Sequence, residues 1–77
     1  MNADDTRLVV QPTGERSFKV FLADAKNINT TVYTTMGACV LQQHAEGNED
    51  TINLEALTPG YYVVNVNGRH SKCIVVK

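Results

Sequence analysis

The chain has 77 residues, of which 43% are hydrophobic, so it can form one domain with a single small core but not two. Seven basic residues stand against eight acidic ones, which argues against a nucleic-acid or anionic-membrane partner held by bulk charge. No apolar run approaches the roughly 18 residues of a membrane span, and the first ten residues lack the basic start and apolar segment of a signal peptide.

Short segments with a period of two follow one another along the chain, a pattern that predicts strands rather than helices. The predicted strands are 6–11, 17–23, 28–35, 38–43, 51–54, 61–66 and 69–76. Seven short strands separated by turn signals predict a small antiparallel immunoglobulin-like β-sandwich. We expect residues 1–5 to be a flexible N-terminal segment or a cloning remnant, and residues 6–77 to be the sandwich domain.

The turn signals differ in strength. Gly37 predicts a turn between the third and fourth strands, and the polar segment 44–50 predicts a loop after the fourth. Pro59-Gly60 suits the two central positions of a type II turn. Asn67-Gly68 is the strongest hairpin signal in the chain and predicts a two-residue type I′ turn.

That hairpin turn sets a register for the last two strands. With two turn residues, Val66 faces Arg69 and Tyr62 faces Cys73. The predicted inner side of the hairpin carries Tyr62, Val64, Val66, Cys73 and Val75. The predicted outer side carries Tyr61, Val63, Lys72, Ile74 and Val76. The outer side is thus also apolar, so either another segment covers it or it is a stripe on which a partner docks.

The cysteine spacing fits no zinc or redox motif. In the predicted register Cys73 faces the core, whereas Cys39 points outward if its neighbour Val40 is buried. We therefore expect two free thiols.

Residue patterns typical of catalysis are missing from the sequence. His44 and His70 are the two histidines, and both are predicted to be exposed without a special role. Glu46, Glu49 and Asp50 could bind calcium weakly, but their spacing is not that of an EF-hand, so a solvated loop is favoured. There is no phosphate-binding loop, dinucleotide fingerprint or nucleophile elbow. We predict that the protein is not an enzyme and uses neither a cofactor nor a metal.

Three segments together resemble a known family. Residues 32–41 read as a strand with the pattern Tyr-x-x-x-Gly-x-x-Val, and residues 54–66 read as Leu-x-x-Leu-x-x-Gly-x-Tyr-x-Val-x-Val. Gly68 followed by Lys72–Lys77 resembles a closing element, Gly…Lys-x-Ile-Val-x-Lys. In this order, at the end of the sequence, they resemble the gingipain-type C-terminal sorting domain of the type IX secretion system of Bacteroidetes. The similarity extends over residues 28–77, and residues 9–12 stand where many members have Tyr-Pro-Asn-Pro.

The resemblance implies an immunoglobulin-like secretion signal at the C-terminus of a larger precursor. The implied partners are an N-terminal cargo domain, the outer-membrane translocon with its shuttle protein, and a sortase-like signal peptidase that removes the domain at the cell surface. The implied route leads through the periplasm to the cell surface or the extracellular space. No nucleic acid is expected, and an edge strand would allow weak dimerisation.

Recognition by the secretion machinery would then involve the final hairpin. The candidate recognition residues are Gly60, Tyr61, Val63, Gly68, Lys72, Ile74, Val75, Val76 and Lys77. Strand addition to a terminal edge strand is the physical mode that fits such residues. The alternative is a structural or adhesive immunoglobulin-like module of a larger surface protein.

Overall fold

The computed structural model describes residues 7–77, which form seven strands. These are β1 (Leu8–Pro12), β2 (Ser17–Leu22), β3 (Asn27–Thr34), β4 (Cys39–Glu46), β5 (Glu49–Asn53), β6 (Gly60–Val66) and β7 (His70–Val76). No helix in residues 7–77 has the length and apolar character needed to cross a bilayer. The predicted flexible segment 1–5 and the predicted first strand residue Thr6 lie outside the described residues.

Two antiparallel sheets make up the domain, one in the order β1-β2-β5 and the other in the order β4-β3-β6-β7. The predicted all-β sandwich is therefore confirmed. The strand order resembles that of immunoglobulin domains, except that β4 lies beside β3 instead of beside β5. In the larger sheet, β4 and β7 are the two edge strands.

The core lies between the two sheets and is formed by alternate residues of their strands. Its members are Leu8, Phe18, Val20, Leu22, Ile28, Val32, Ile52, Leu54, Tyr62, Val64, Val66, Ile74 and Val76. Tyr62 also donates its hydroxyl hydrogen to the Thr58 carbonyl at 2.6 Å. A tyrosine that bonds back to the main chain a few residues upstream is a known feature of immunoglobulin-like sandwiches.

The predicted loop over residues 44–50 is wrong in extent. β4 continues to Glu46 and β5 begins at Glu49, so Gly47 and Asn48 alone connect them. Both residues also bind other segments: the Gly47 N–H donates to the Lys26 carbonyl at 2.9 Å, and the Asn48 carbonyl accepts from Leu22 at 2.9 Å. Polar composition misled the prediction here, because one side of an edge strand faces water.

The turn before β6 also differs from the prediction. The chain turns at residues 54–57, where the N–H of Leu57 donates to the Leu54 carbonyl at 3.0 Å. The Asn53 side chain supports this turn by accepting from the Glu55 N–H at 2.9 Å. Gly60 has a φ of 153°, far from the value of about +80° in a type II turn, and is already the first residue of β6.

The turn between β6 and β7 has the predicted conformation but is followed by one extra residue. Asn67 and Gly68 have φ angles of 56° and 71°, and the Arg69 N–H donates to the Val66 carbonyl at 3.2 Å, as in a type I′ turn. The strand pairing nevertheless starts with Val66 opposite His70, so Arg69 is left out of the ladder. The predicted register is wrong by one residue, and the side chains of β7 exchange faces.

The turn between β6 and β7 is anchored to β3 by Asn67. Its side-chain oxygen accepts from the Asn29 N–H at 2.8 Å and its side-chain amide donates to the Asn27 carbonyl at 3.1 Å. Its own N–H donates to the Asn29 carbonyl at 2.9 Å. With the turn so anchored, the extra residue directs Ile74 and Val76 into the core. Burying an isoleucine and a valine removes more apolar surface from water than burying a cysteine and a valine.

Five predicted orientations in β7 are therefore corrected. Cys73 and Val75 are exposed instead of belonging to the core, and Ile74 and Val76 are buried instead of lying on the outer side. Lys72 pairs with Val64, so it lies in the inward row at the edge of the sandwich, where it is half-buried.

Thr30 leads to a prediction about stability. It lies on β3, is 1% exposed, and its hydroxyl has no hydrogen-bond partner among residues 7–77. Since a buried hydroxyl without a partner is costly, Thr30→Val should raise the free energy of unfolding by about 1 kcal/mol. Thr31→Val, on the half-buried outer side of the same strand, is the control and should change it by less than about 0.5 kcal/mol. Urea denaturation measures both, and a less stable Thr30→Val variant would contradict the prediction.

Candidate functional site

A sandwich of two open sheets has four edge strands, and here they differ in how open they are to a further strand. β1 and β5 have five residues each, and β1 ends in Pro12. β4 is interrupted by a register shift opposite Val32 and Tyr33. β7 has seven residues, contains no proline, and pairs with β6 without a register shift. β7 is thus the most regular edge of the domain.

The side of the sandwich formed by β4 and β5 is closed by a side chain. The Gln43 amide of β4 donates to the Thr51 carbonyl of β5 at 2.8 Å and to the Asp50 carboxylate at 2.7 Å. A main-chain acceptor of the β5 edge is therefore occupied, and the β4 edge is distorted by its bulge. An incoming strand would meet an obstacle at both of these edges, whereas the occupied acceptor near β7 belongs to Lys77, beyond the last residue of the strand.

The outer face of the larger sheet carries an apolar cluster next to the β7 edge, which we call the outer patch. The outer patch consists of Tyr33, Tyr61, Val63, Cys73 and Val75. Tyr61 is 69% exposed and lies directly opposite Val75, which is 46% exposed. Val63 pairs with both Tyr33 and Cys73, so these three residues form one row across β3, β6 and β7. Such a contiguous exposed patch is typical of an interaction site.

A groove of about 490 Å³ lies beside the end of β7. Its lining consists of Pro12, Gly14, Glu15, Phe18, Val75 and Lys77. The walls are thus partly apolar, and one acidic and one basic residue border them. The groove has room for a side chain of a segment that pairs with β7.

The end of β7 is fastened by Arg16, a residue of the connection between β1 and β2. The Arg16 Nε donates to the main-chain oxygen of Lys77 at 3.1 Å. The Nη1 of the same guanidinium donates to the Leu57 carbonyl at 2.8 Å and to the Glu55 carbonyl at 3.2 Å. One side chain thereby connects the end of β7 to the two loops next to it.

The structure brings the candidate recognition residues together along one hairpin but not on one face. Tyr61, Val63 and Val75 belong to the outer patch, and Lys77 lies at its end. Ile74 and Val76 anchor β7 from inside the core. Lys72 is at the inner rim, a position where a charge discourages pairing of the edge with unrelated strands. Gly60 opens β6, whereas Gly68 lies in the turn at the opposite end of the hairpin.

The residues considered for chemistry are dispersed. His44 belongs to β4 instead of a loop, and its two ring nitrogens bond Asn29 and Glu46 at 2.6 and 2.8 Å. Glu49 forms an ion pair with Lys19 at 2.6 Å. No group of three or more histidine, cysteine, aspartate or glutamate side chains within residues 7–77 is arranged to hold a metal ion.

Both cysteines are free and exposed, but for a different reason from the one predicted. The register places Cys39, Tyr33, Val63 and Cys73 in one row, with the two cysteines on the two edge strands. Three strand spacings separate them, about 14 Å, whereas a disulfide needs Cα atoms within about 7 Å.

Comparison with known proteins gives one family match. The family model described as "Secretion system C-terminal sorting domain" matches residues 14–77. The match covers most of the chain and includes β2 and the β1–β2 connection with Arg16, which precede the segments in which the sequence alone shows a resemblance. No curated protein matches the chain.

Proposed function

Because the chain belongs to the family of secretion-system C-terminal sorting domains, we propose that the type IX machinery recognises it through β7 and the outer patch. The domain is a sorting signal of type IX secretion in Bacteroidetes, and such a signal implies export of a larger precursor to the cell surface or the extracellular space. Membership of the family does not specify which surface of the domain is recognised. The geometry of the edge strands favours one surface.

One observation supports β7 above the other edges. Tyr61 and Val75 are exposed and directly opposite each other, beside a regular edge strand. An extended partner segment that adds to β7 gains main-chain hydrogen bonds from the edge and apolar contacts from these side chains. The groove beside Val75 provides a place for a side chain of that segment and hence for specificity.

We further propose that the outer-membrane translocon and its shuttle protein recognise the domain. An N-terminal cargo domain would then reach the surface through the periplasm. A sortase-like signal peptidase then cleaves the chain between the cargo domain and the sorting domain. Cleavage on the N-terminal side of Leu8 would leave the sandwich intact, because Leu8 is fully buried in the core. The domain itself needs no catalytic group for this role.

Site-specific photo-crosslinking tests the proposed surface. A fusion of a periplasmic fluorescent protein with this domain is expressed in a Bacteroidetes host, with p-benzoylphenylalanine replacing Tyr61 in one version and Gln11 in the other. Gln11 is exposed on the outer face of the smaller sheet and serves as the control. We expect crosslinks to a type IX outer-membrane component from position 61, at least about fivefold above those from position 11.

Three outcomes would contradict the proposal. Equal yields from both positions would show that the outer patch is not preferred. Crosslinks exclusively to a second copy of the domain would identify the patch as a dimer interface. No crosslink from a fusion that still reaches the surface would show that the machinery recognises another face of the domain.

A further inference from the structure

Arg16 occupies a position that its sequence context does not reveal. Its guanidinium donates to the main-chain oxygens of Lys77, Leu57 and Glu55, and its own carbonyl accepts from the Leu54 N–H at 2.7 Å. The residue is half-buried, and its hydrogen bond to Leu57 is partly shielded from water, whereas those to Lys77 and Glu55 are exposed. It therefore joins three segments just beyond the paired strands: the β1–β2 connection, the β5–β6 connection and the end of β7.

The chemistry of arginine suits this position and that of lysine does not. A guanidinium presents five N–H donors in a rigid plane and can bond carbonyls on two sides at once, whereas a lysine has one flexible ammonium group. Hydrogen bonds from a charged donor are stronger than those between neutral groups. The acceptors are main-chain oxygens, so the contact fixes the path of the backbone instead of pairing one side chain with another.

The end of β7 needs such a contact, because Lys77 follows the last residue of the ladder. Val76 pairs with Gly60, and β7 has a paired neighbour on one side only. The last residues of an edge strand are where a domain normally frays. The hydrogen bond from Arg16 holds the main chain one residue beyond the ladder, next to Val75 and the groove.

We propose that Arg16 is a positioning residue of the sorting signal, which holds the end of β7 in the orientation that the secretion machinery recognises. This inference rests on the proposed function, since it assumes that β7 is the strand that is read. It assigns to the β1–β2 connection a role in recognition without requiring that Arg16 itself touches the partner.

Hydrogen exchange measured by NMR on the isolated domain tests the structural half of this inference. Arg16→Ala should accelerate exchange of the Val76 amide, which faces β6 at the end of the ladder, by about tenfold or more, the factor expected when a hydrogen bond to a charged donor is lost. The Lys72 amide, which faces β6 in the middle of the same strand, should change by less than about threefold. Arg16→Lys should resemble Arg16→Ala, because it keeps the charge but lacks the planar donor group.

Export of the fluorescent fusion tests the functional half. Both Arg16 variants should reduce surface delivery by about fivefold or more at a temperature where each domain is fully folded. The matched control is Gln43→Ala, which removes another side chain that bonds a main-chain oxygen, at the opposite side of the sandwich. Its delivery should stay within about twofold of wild type, at a comparable loss of stability.

The possible outcomes distinguish the role of Arg16 from recognition through β7. Unchanged exchange of the Val76 amide in both Arg16 variants would overturn the inference outright. Accelerated exchange with normal delivery would also overturn it, yet would leave recognition through β7 standing. Recognition through β7 fails on a different result, the absence of preferred crosslinking from position 61. If Arg16→Ala does not fold, Arg16→Lys provides the same comparison.

Discussion

Ile74→Ala is expected to lower the free energy of unfolding by about 3 kcal/mol, whereas Cys73→Ala, one residue away, should change it by less than about 0.5 kcal/mol. Ile74 is 8% exposed and lies opposite Tyr62 in the inward row. Truncation there removes three buried carbon atoms and leaves a cavity between the sheets. A domain of this size has a total stability of only about 4–11 kcal/mol, so the loss is a large part of it.

Urea denaturation followed by circular dichroism measures both variants. The two variants together are informative because the sequence favours a register with a two-residue turn. That register predicts a larger loss of stability for Cys73→Ala than for Ile74→Ala. In that register Cys73 faces the core and Ile74 faces outward. A larger effect of Cys73→Ala than of Ile74→Ala would therefore refute the observed pairing of β6 with β7. The exposed Cys73 thiol should also react with a small maleimide while the domain remains folded.

The difference between the predicted and the observed register of β7 shows which features the sequence could predict. The number and order of the strands follow from alternation and turn residues, and all seven strands appear where the pattern places them, within a few residues. The faces of β7 do not follow, because residues 73–76 are apolar on both sides of the strand. Alternation determines which side faces inward only when the two sides differ in polarity. The observed side is the one that buries Ile74 and Val76 in the core, against residues distant in sequence.

Arg16 was missed for a related reason. Its partners are main-chain oxygens of residues 55, 57 and 77, and a carbonyl acceptor leaves no mark in the amino-acid sequence. A single arginine in a short polar connection is indistinguishable from any solvated charge until the fold is known. Closure of the opposite side by Gln43 was missed likewise, because one acceptor is the main-chain oxygen of Thr51 and the other, Asp50, was predicted to lie in a loop.

The largest functional effect is expected from Val75→Lys, which should reduce surface delivery of a fluorescent fusion by about tenfold or more. Val75 is half-exposed, so the lysine head can reach water and the domain should lose less than about 1 kcal/mol of stability. On the outer side of β7, however, the charge interrupts the outer patch. Lysine on an edge strand is also a device by which proteins prevent strand addition.

Val40→Lys is the matched control, because it is the same substitution at a similarly exposed valine, 38% against 46%, on the opposite edge strand. Its delivery should remain within about twofold of wild type, since the bulge already makes the β4 edge unsuitable for pairing. Protease-accessible fluorescence on intact cells measures delivery, and thermal melts establish that both domains are folded. Equal losses in the two variants, or normal delivery of Val75→Lys, would show that β7 is not the recognised edge.

This pair of substitutions is more decisive than deletion of residues 72–77. The deletion removes Ile74 and Val76 from the core together with the edge. Delivery would then fail because the sandwich unfolds, whichever surface the machinery recognises. Val75→Lys changes the edge and the outer patch while leaving the inward row of β7 in place, so a loss of delivery can be assigned to recognition.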